Sequence, residues 1–235
     1  MAERDKHCLV VGVGAGTGAA CVRRFVAGGY KVSMIARNAK RLTEFAETIE
    51  HSTAYACDIA DLQSYRAVLR QIVSEQGQPE IIIYNAALAT FADYTQLDPE
   101  KLEHNFRVNT SGLLVTAQEL APALCDRGDG AIVITGNTGT LRGIPSFIGF
   151  SPTKASQRIL AEALARQLGP QGVHVAYVVI DAMIDMPFAR RRFKDKPADF
   201  FAQPDDIAGE VFHTAHQPRS TRSFLVEIRP FAEKW

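Results

Sequence analysis

Continuous apolar runs alternate along this chain with longer stretches in which apolar residues return every three or four positions. The runs are Cys8–Val11, Tyr30–Ala36, Thr53–Cys57, Glu80–Tyr84, Ala131–Thr135, Val173–Ile180 and Phe224–Ile228. Their shortness, and the glycine, proline and aspartate residues that bound them, predict strands buried on both faces. The periodic stretches predict helices: one beginning at Gly18, then Lys40–Ile49, Leu62–Glu75, a long one over Pro99–Leu124, Phe150–Leu168, and a last one after Pro204. About seven strands separated by helices predict an α/β fold, a doubly wound parallel sheet with helices on both faces. In such a sheet ligands bind beyond the carboxyl ends of the strands.

The first of those ends carries the densest chemistry. Cys8-Leu-Val-Val-Gly-Val-Gly-Ala-Gly-Thr-Gly18 runs from an apolar strand into alternating glycines and on into a helical pattern. Glycines permit a sharp turn and let a ligand approach where a Cβ would clash. The helix start behind them offers free N–H groups and a positive dipole end, which favour a phosphate. Lys6 and His7 precede the apolar run as a secretory signal would have it, but four glycines inside the would-be apolar core argue against that reading.

Composition narrows the classes. The 235 residues suit one large α/β domain over 1–235, and 46% hydrophobic content supports a sizeable core. The formal net charge is zero, so no global field recruits nucleic acid or an anionic membrane. No apolar run is long enough to span a bilayer. Cys8, Cys21, Cys57 and Cys125 are scattered without metal-type pairing, which fits reduced core thiols and a cytoplasmic location.

Taken together, these landmarks resemble the short-chain dehydrogenase/reductase family over essentially the whole chain, which implies a Rossmann-like fold. Gly12, Gly16 and Gly18 stand where that family has its Thr-Gly-x-x-x-Gly-x-Gly turn, with Val11 in place of the threonine. Asp58-Ile59 resembles the adenine-contacting aspartate and its neighbour. Tyr84-Asn85-Ala86-Ala87 resembles Asn-Asn-Ala-Gly, and Asn109, in Val108-Asn109-Thr110, matches the helix asparagine of the catalytic set. The resemblance implies a nicotinamide dinucleotide held by Gly12, Gly14, Gly16, Thr17, Gly18, Arg37, Asp58, Ile59, Asn85, Ala86, Lys154 and Ile184. At the end of the second strand, Ala36 supplies no carboxylate for a ribose hydroxyl, and Arg37 can bind a 2′-phosphate through two hydrogen bonds. NADP is therefore expected over NAD. Lys154 matches the family lysine that bonds the ribose, and Asn109 would hold a water beside it.

The catalytic half departs from the family. A tyrosine four residues before the lysine moves the proton in that family, its phenol acidified by the ammonium. Here that position is Phe150, which neither ionises nor donates. Asn137 stands at the serine that polarises the carbonyl, and its amide can still donate to a developing oxyanion. Asp181-Ala182 replaces Pro-Gly, and Met186 replaces a threonine near the carboxamide. Three readings follow. The chain is an NADP-dependent oxidoreductase that moves a hydride between nicotinamide and a carbonyl or alcohol, with its proton routed through Lys154, Thr138, Ser151 or Asp185. Or it is a catalytically inactive NADP-binding regulatory module, or a structural subunit of a catalytic partner.

Three weaker features complete the picture. Residues 186–204 are expected to form a lid over the substrate site. Its Arg190-Arg191-Arg192 run, with Lys194 and Lys196, reads better as a solvated face than as an anion trap. Phe188, Phe193, Phe200 and Phe201 give the lid an apolar side. His213 and His216, one helical turn apart, read as a surface pair because no carboxylate or cysteine completes a metal set. Phe231 and Trp235, at the end of the chain, are expected to be buried against the protein or a second subunit, in a homodimer or homotetramer.

Overall fold

The computed structural model of the chain describes residues 6–232. Seven parallel strands form one sheet in the order β3-β2-β1-β4-β5-β6-β9. They are β1 (Lys6–Val11), β2 (Tyr30–Ala36), β3 (Ser52–Ala56), β4 (Ile81–Tyr84), β5 (Gly130–Asn137), β6 (Val173–Ile180) and β9 (Leu225–Ile228). The order reverses between β1 and β4, whose partners run Cys8 with Ile81 through Val11 with Tyr84. A crevice opens at such a reversal, beyond the carboxyl ends of the two strands.

Helices cover both faces. On one side α3 (Leu62–Gln76), α5 (Gly112–Arg127) and α6 (Ser151–Leu168) pack on Leu9, Val11, Ile82, Ile132, Val175 and Tyr177. On the other, α1 (Thr17–Ala27), α2 (Ala39–Thr48) and α8 (Pro204–Ala215) pack on Cys8, Val10, Ile83, Val133 and Val178. Adjacent strand residues therefore feed opposite cores, which is why the strands read as unbroken apolar runs. Cys8, Cys21 and Cys57 are buried free thiols, as expected of core residues.

Several expectations change in detail. The long helix expected over Pro99–Leu124 is α4 (Pro99–Phe106), a π-helical turn at Arg107–Ser111, and α5. The π turn widens the helix where Asn109 sits, and such bulges gather at functional sites. Strand β5 continues past Thr135 to Asn137. Residues 186–204 contain the short α7 (Pro187–Arg192), and Phe201–Ala202 (β8) pairs with Met183–Ile184 (β7). Arg191, Arg192, Lys194 and Lys196 are exposed as expected, whereas Arg190 is half-exposed and paired. It makes two bonds to Asp185, at 2.6 and 2.7 Å, and lies 4.2 Å over the Phe201 ring. His216 bonds the Tyr30 hydroxyl at 2.8 Å and stacks on Phe212. Among the described residues no group of histidine, cysteine, aspartate and glutamate could hold a metal. Among the described residues no helix is long and apolar enough to cross a membrane. Phe231 is 88% exposed, so the expected burial within its own chain does not occur, and Trp235 lies outside the described residues.

One packing contact ties the neighbouring strands β5 and β6 together. A Cβ on Gly136 of β5 would fall on the ring and hydroxyl of Tyr177 of β6. Both sit in the core, and overpacking there costs about 1–3 kcal/mol. Gly136→Ala should lower unfolding free energy by that amount in urea titration. Combined with Tyr177→Ala, the added loss should largely vanish, since neighbours that share a contact are not additive.

Candidate active site

Glycine 12 ends β1 at φ +91°, and its N–H bonds Ile35 at 2.8 Å. A Cβ there would run into the backbone of Ala86, so the turn and the chain after β4 approach closely only because the residue is glycine. A Cβ on Gly18 would lie 2.7 Å from the Gly12 carbonyl, which fixes α1 against the turn. At Gly14 a Cβ would meet nothing within 4 Å and would project into open space. Asn85 pins the arrangement: its Nδ2 donates to the Gly12 carbonyl at 2.8 Å, and its Oδ1 accepts from Thr135 at 2.9 Å.

Two cavities meet along this line. One, of about 630 Å³, runs from the glycine turn past Ala36, Arg37 and Arg41 to Asp58, Ile59 and Val108. The other, of about 270 Å³, continues past Gly16 and Thr17 to Asn137, Phe150, Lys154, Ile184 and Met186. Every residue expected to bind the cofactor lines one of the two. Asn137, Phe150 and Lys154 line the second. Asn109 lines neither: its side chain is fully buried and held by the Leu88 N–H, the Leu88 carbonyl and Thr153. It organises the chain after β4 rather than facing the groove.

The groove walls carry the polarity a dinucleotide requires. Gly16 places no side chain over the first turn of α1, and the Thr17 hydroxyl is buried without a partner. Arg37 and Arg41 are exposed at the wide end, and among the described residues neither takes part in an ion pair. At the narrow end the Asn137 side-chain oxygen is also buried and unpartnered. Unsatisfied buried polar atoms cost about 1–3 kcal/mol each, a cost that a polar partner in the groove would offset.

Lys154 is the charge at the centre. It is 2% exposed, and its Nζ donates to the Thr135 carbonyl at 2.9 Å and to the Gln157 side-chain oxygen. Burial pushes the ammonium down to about 7. The Gln157 Nε2 donates to the Asn109 carbonyl at 2.5 Å, so an amide stands where a water was expected between Asn109 and the lysine. Beyond it, the Tyr177 hydroxyl donates to the same Gln157 oxygen at 3.0 Å.

Phe150 is packed as a ring. Only 7% exposed, it meets Phe91 edge-on at 5.9 Å, and Phe91 meets Phe147 at 4.7 Å. Of the groups considered as proton carriers, Asp185 is held below the usual carboxylate range by its bonds to Arg190 and is no acid near neutrality. Ser151 is buried and lines a separate cavity beside Leu141 and Phe147. Thr138 lines neither cavity of the groove. Lys154 alone of the four faces the groove beside Asn137 and Phe150.

Sequence reasoning did not assign Arg41, Gln157 or Tyr177 to the site. Gln157 lies three residues past Lys154 on α6, a spacing that places side chains on one helix face, whereas Arg37 precedes α2 and Arg41 lies in its first turn, so that pair meets only at the groove. Tyr177 shows only as one phenol in an aliphatic strand.

Comparison with known proteins gives the same picture at family level. The family model described as short chain dehydrogenase matches residues 6–196. A D-threitol dehydrogenase from Mycolicibacterium smegmatis is 24% identical over 222 residues, covering 89% of this chain and 85% of its own. An alcohol dehydrogenase from Thermococcus sibiricus, solved with 5-hydroxy-NADP, superposes with a TM-score of 0.86 at 22% identity, covering 98% of this chain and 99% of that one. A short chain oxidoreductase from Pseudomonas aeruginosa, described as containing an atypical catalytic center, superposes with a TM-score of 0.87 at 19% identity, over 98% of both chains.

Asn85 offers a test of the frame. Asn85→Asp keeps the shape but sets a carboxylate against the Gly12 carbonyl in place of a donor. The variant should lose about 1–3 kcal/mol of unfolding free energy at neutral pH. The Gly12 carbonyl raises the pKa of the new carboxyl, so the deficit should shrink as pH falls through that raised value and the protonated group's O–H can donate again. Urea titrations at several pH values measure it.

Proposed function

Given that this chain belongs to the short-chain dehydrogenase family, we propose that it is an NADP-dependent oxidoreductase that moves a hydride between nicotinamide and the carbonyl or alcohol carbon of a small molecule. The observation that carries this reading is Lys154, buried in the groove wall beside Asn137 and bonded to Thr135 and Gln157. The fit of a dinucleotide is supported by the glycine turn, the unpartnered Thr17 hydroxyl and the open space at Gly14. Arg37 and Arg41 would hold a 2′-phosphate, and the absence of a carboxylate at Ala36 favours NADP over NAD. The cofactor, when bound, supplies the hydride; the chain supplies orientation, exclusion of water and a proton.

That proton takes an atypical route. Phe150 has none to give, and Asp185 is engaged by Arg190. An ammonium has three N–H groups, and two of those on Lys154 bond to the protein. The third serves the groove, where an acid poised near neutrality is effective. Asn137 takes the role of polarising the carbonyl. Residues 1–235 act as one dinucleotide-binding domain, with 186–204 as its lid: Met186 already reaches the glycine turn, its sulfur 2.8 Å from where a Cβ on Gly16 would lie. The exposed Phe231 ring supports a homodimer or homotetramer, and sedimentation as a monomer at micromolar concentration would contradict that part.

A second reading, binding of NADP without turnover, is favoured by one observation. The Gln157 amide joins Asn109 to Lys154, and an amide passes protons less readily than water. NADPH oxidation with a panel of aldehydes and ketones separates the two. Turnover supports the oxidoreductase, and binding without turnover supports the alternative.

Two variants sharpen the test. Arg37→Ala should weaken NADPH by about 1.5–3 kcal/mol and leave NADH nearly unchanged, by fluorescence titration. Equal affinity of the wild-type protein for both cofactors would sink the assignment. Phe150→Tyr sets a phenol near Lys154 and should raise carbonyl reduction, by up to about 10²–10⁴ if the proton limits the rate. A slower Phe150→Tyr enzyme would mean that the ring shapes the pocket for its substrate.

A further inference from the structure

The lysine sits in a polar knot that the glycine turn and the cofactor groove do not require. Gln157 lies one helical turn beyond Lys154, on a face of α6 that is otherwise packed into the core, and is itself fully buried. The orientation of its amide is set by chemistry. Lysine can only donate, so the oxygen must face the ammonium, and the nitrogen then meets the Asn109 carbonyl at 2.5 Å. The Tyr177 hydroxyl donates to the same oxygen at 3.0 Å, so its own oxygen accepts from Thr140 at 3.1 Å. Tyr177 reaches this place because Gly136 has no Cβ to block its ring. Each donor and acceptor that holds the Gln157 amide is thereby accounted for.

We propose that Gln157 is the positioning residue of this site: its amide, gripped by the Asn109 carbonyl and the Tyr177 hydroxyl, holds the Lys154 ammonium at the groove wall. The role rests on reading the groove as an NADP(H) site, and it goes beyond that reading. A water in this position would exchange and follow the lysine, whereas the amide fixes both its place and the polarity around it. The neighbours contribute no carboxylate. Strand β5 presents the Thr135 carbonyl, the π turn the Asn109 carbonyl, and β6 the Tyr177 phenol, itself pushed well up by burial. Arg158, on the next turn of α6, acts on Tyr177 and not on the lysine. Burial holds the ammonium down near 7, and among the described residues the Gln157 oxygen is the side-chain acceptor bonded to it, with the Tyr177 ring 5.9 Å from the nitrogen.

The experiment combines NADPH affinity across pH 6–9 with carbon NMR titration of Lys154 in protein carrying labelled lysine. In the wild-type protein Lys154 should titrate near 7, and NADPH should weaken as pH rises through that value. Gln157→Glu places a carboxylate on the ammonium and should move both midpoints up by at least about one pH unit. Gln157→Leu should move them down and weaken NADPH about tenfold at pH 7. Tyr177→Phe, which keeps the ring and removes one bond to the amide, should shift them in the same direction as Leu but less, and it serves if the Leu variant does not fold. Titration of the cofactor's own phosphate is common to all variants and cancels in the comparison. Unchanged midpoints in Gln157→Glu and Tyr177→Phe would overturn the proposal. Midpoints of Lys154 that shift as stated in protein that binds no NADPH would uphold the positioning role and overturn the cofactor reading.

Discussion

An ammonium buried among neutral acceptors is the constraint around which this site is built. Removing a charge from water without a counter-ion is costly, and proteins meet that cost by surrounding the group with hydrogen-bond acceptors or by letting it lose its proton. Lys154 does both in part. Two oxygens receive its N–H groups, no carboxylate approaches, and its proton is held loosely enough to leave near neutral pH. The sheet makes this arrangement possible. Thr135 is on β5, Gln157 and Lys154 share α6, Tyr177 is on β6, and Asn109 comes from the π turn before α5. Disturbing any one of these elements changes the surroundings of a single nitrogen.

The same economy governs the other end of the groove. There the backbone does the work, because β1 and β4 are neighbours at the reversal of strand order and their connections diverge. Gly12 allows the turn to touch Ala86, Gly18 lets α1 close on the turn, and Asn85 staples both through one side chain. The result is a helix start whose dipole faces a groove, with two arginines beyond it. The two ends of the groove thus rest on different devices: main-chain geometry at the wide end, a buried side-chain network at the narrow one.

How far the sequence revealed this follows from the kind of signal each device leaves. Strands buried on both faces leave continuous apolar runs, so the seven strands of the sheet and the helices between them were legible to within a few residues. Glycines in the turn after β1 stand out as alternating single residues, and the cofactor residues that the family resemblance implies all line the groove. The π turn left no trace, because Arg107–Ser111 continues the helical spacing and the extra residue per turn shows only in three dimensions. The role of Asn109 was misplaced for a related reason. A buried asparagine gives the same letter whether its amide faces a ligand or clamps a loop, and here it clamps Leu88. Arg190 read as one of three solvated charges because its bond to Asp185, five residues earlier, forms only across the turn from β7 into α7, and it stays half-exposed.

Gln157 and Tyr177 show why a site altered at one residue is seldom altered at one residue alone. Phe150 removes a hydroxyl from the neighbourhood of Lys154, and its ring turns instead toward Phe91 and Phe147. A buried ammonium in those surroundings still needs acceptors on every side that water does not reach. The Gln157 oxygen supplies one from behind, and the Tyr177 phenol fixes that oxygen in place. The phenol is therefore present near the lysine after all, but on the core side of it, where it can orient the amide and cannot reach a substrate. What the family pattern places in front of the nitrogen this chain places behind it.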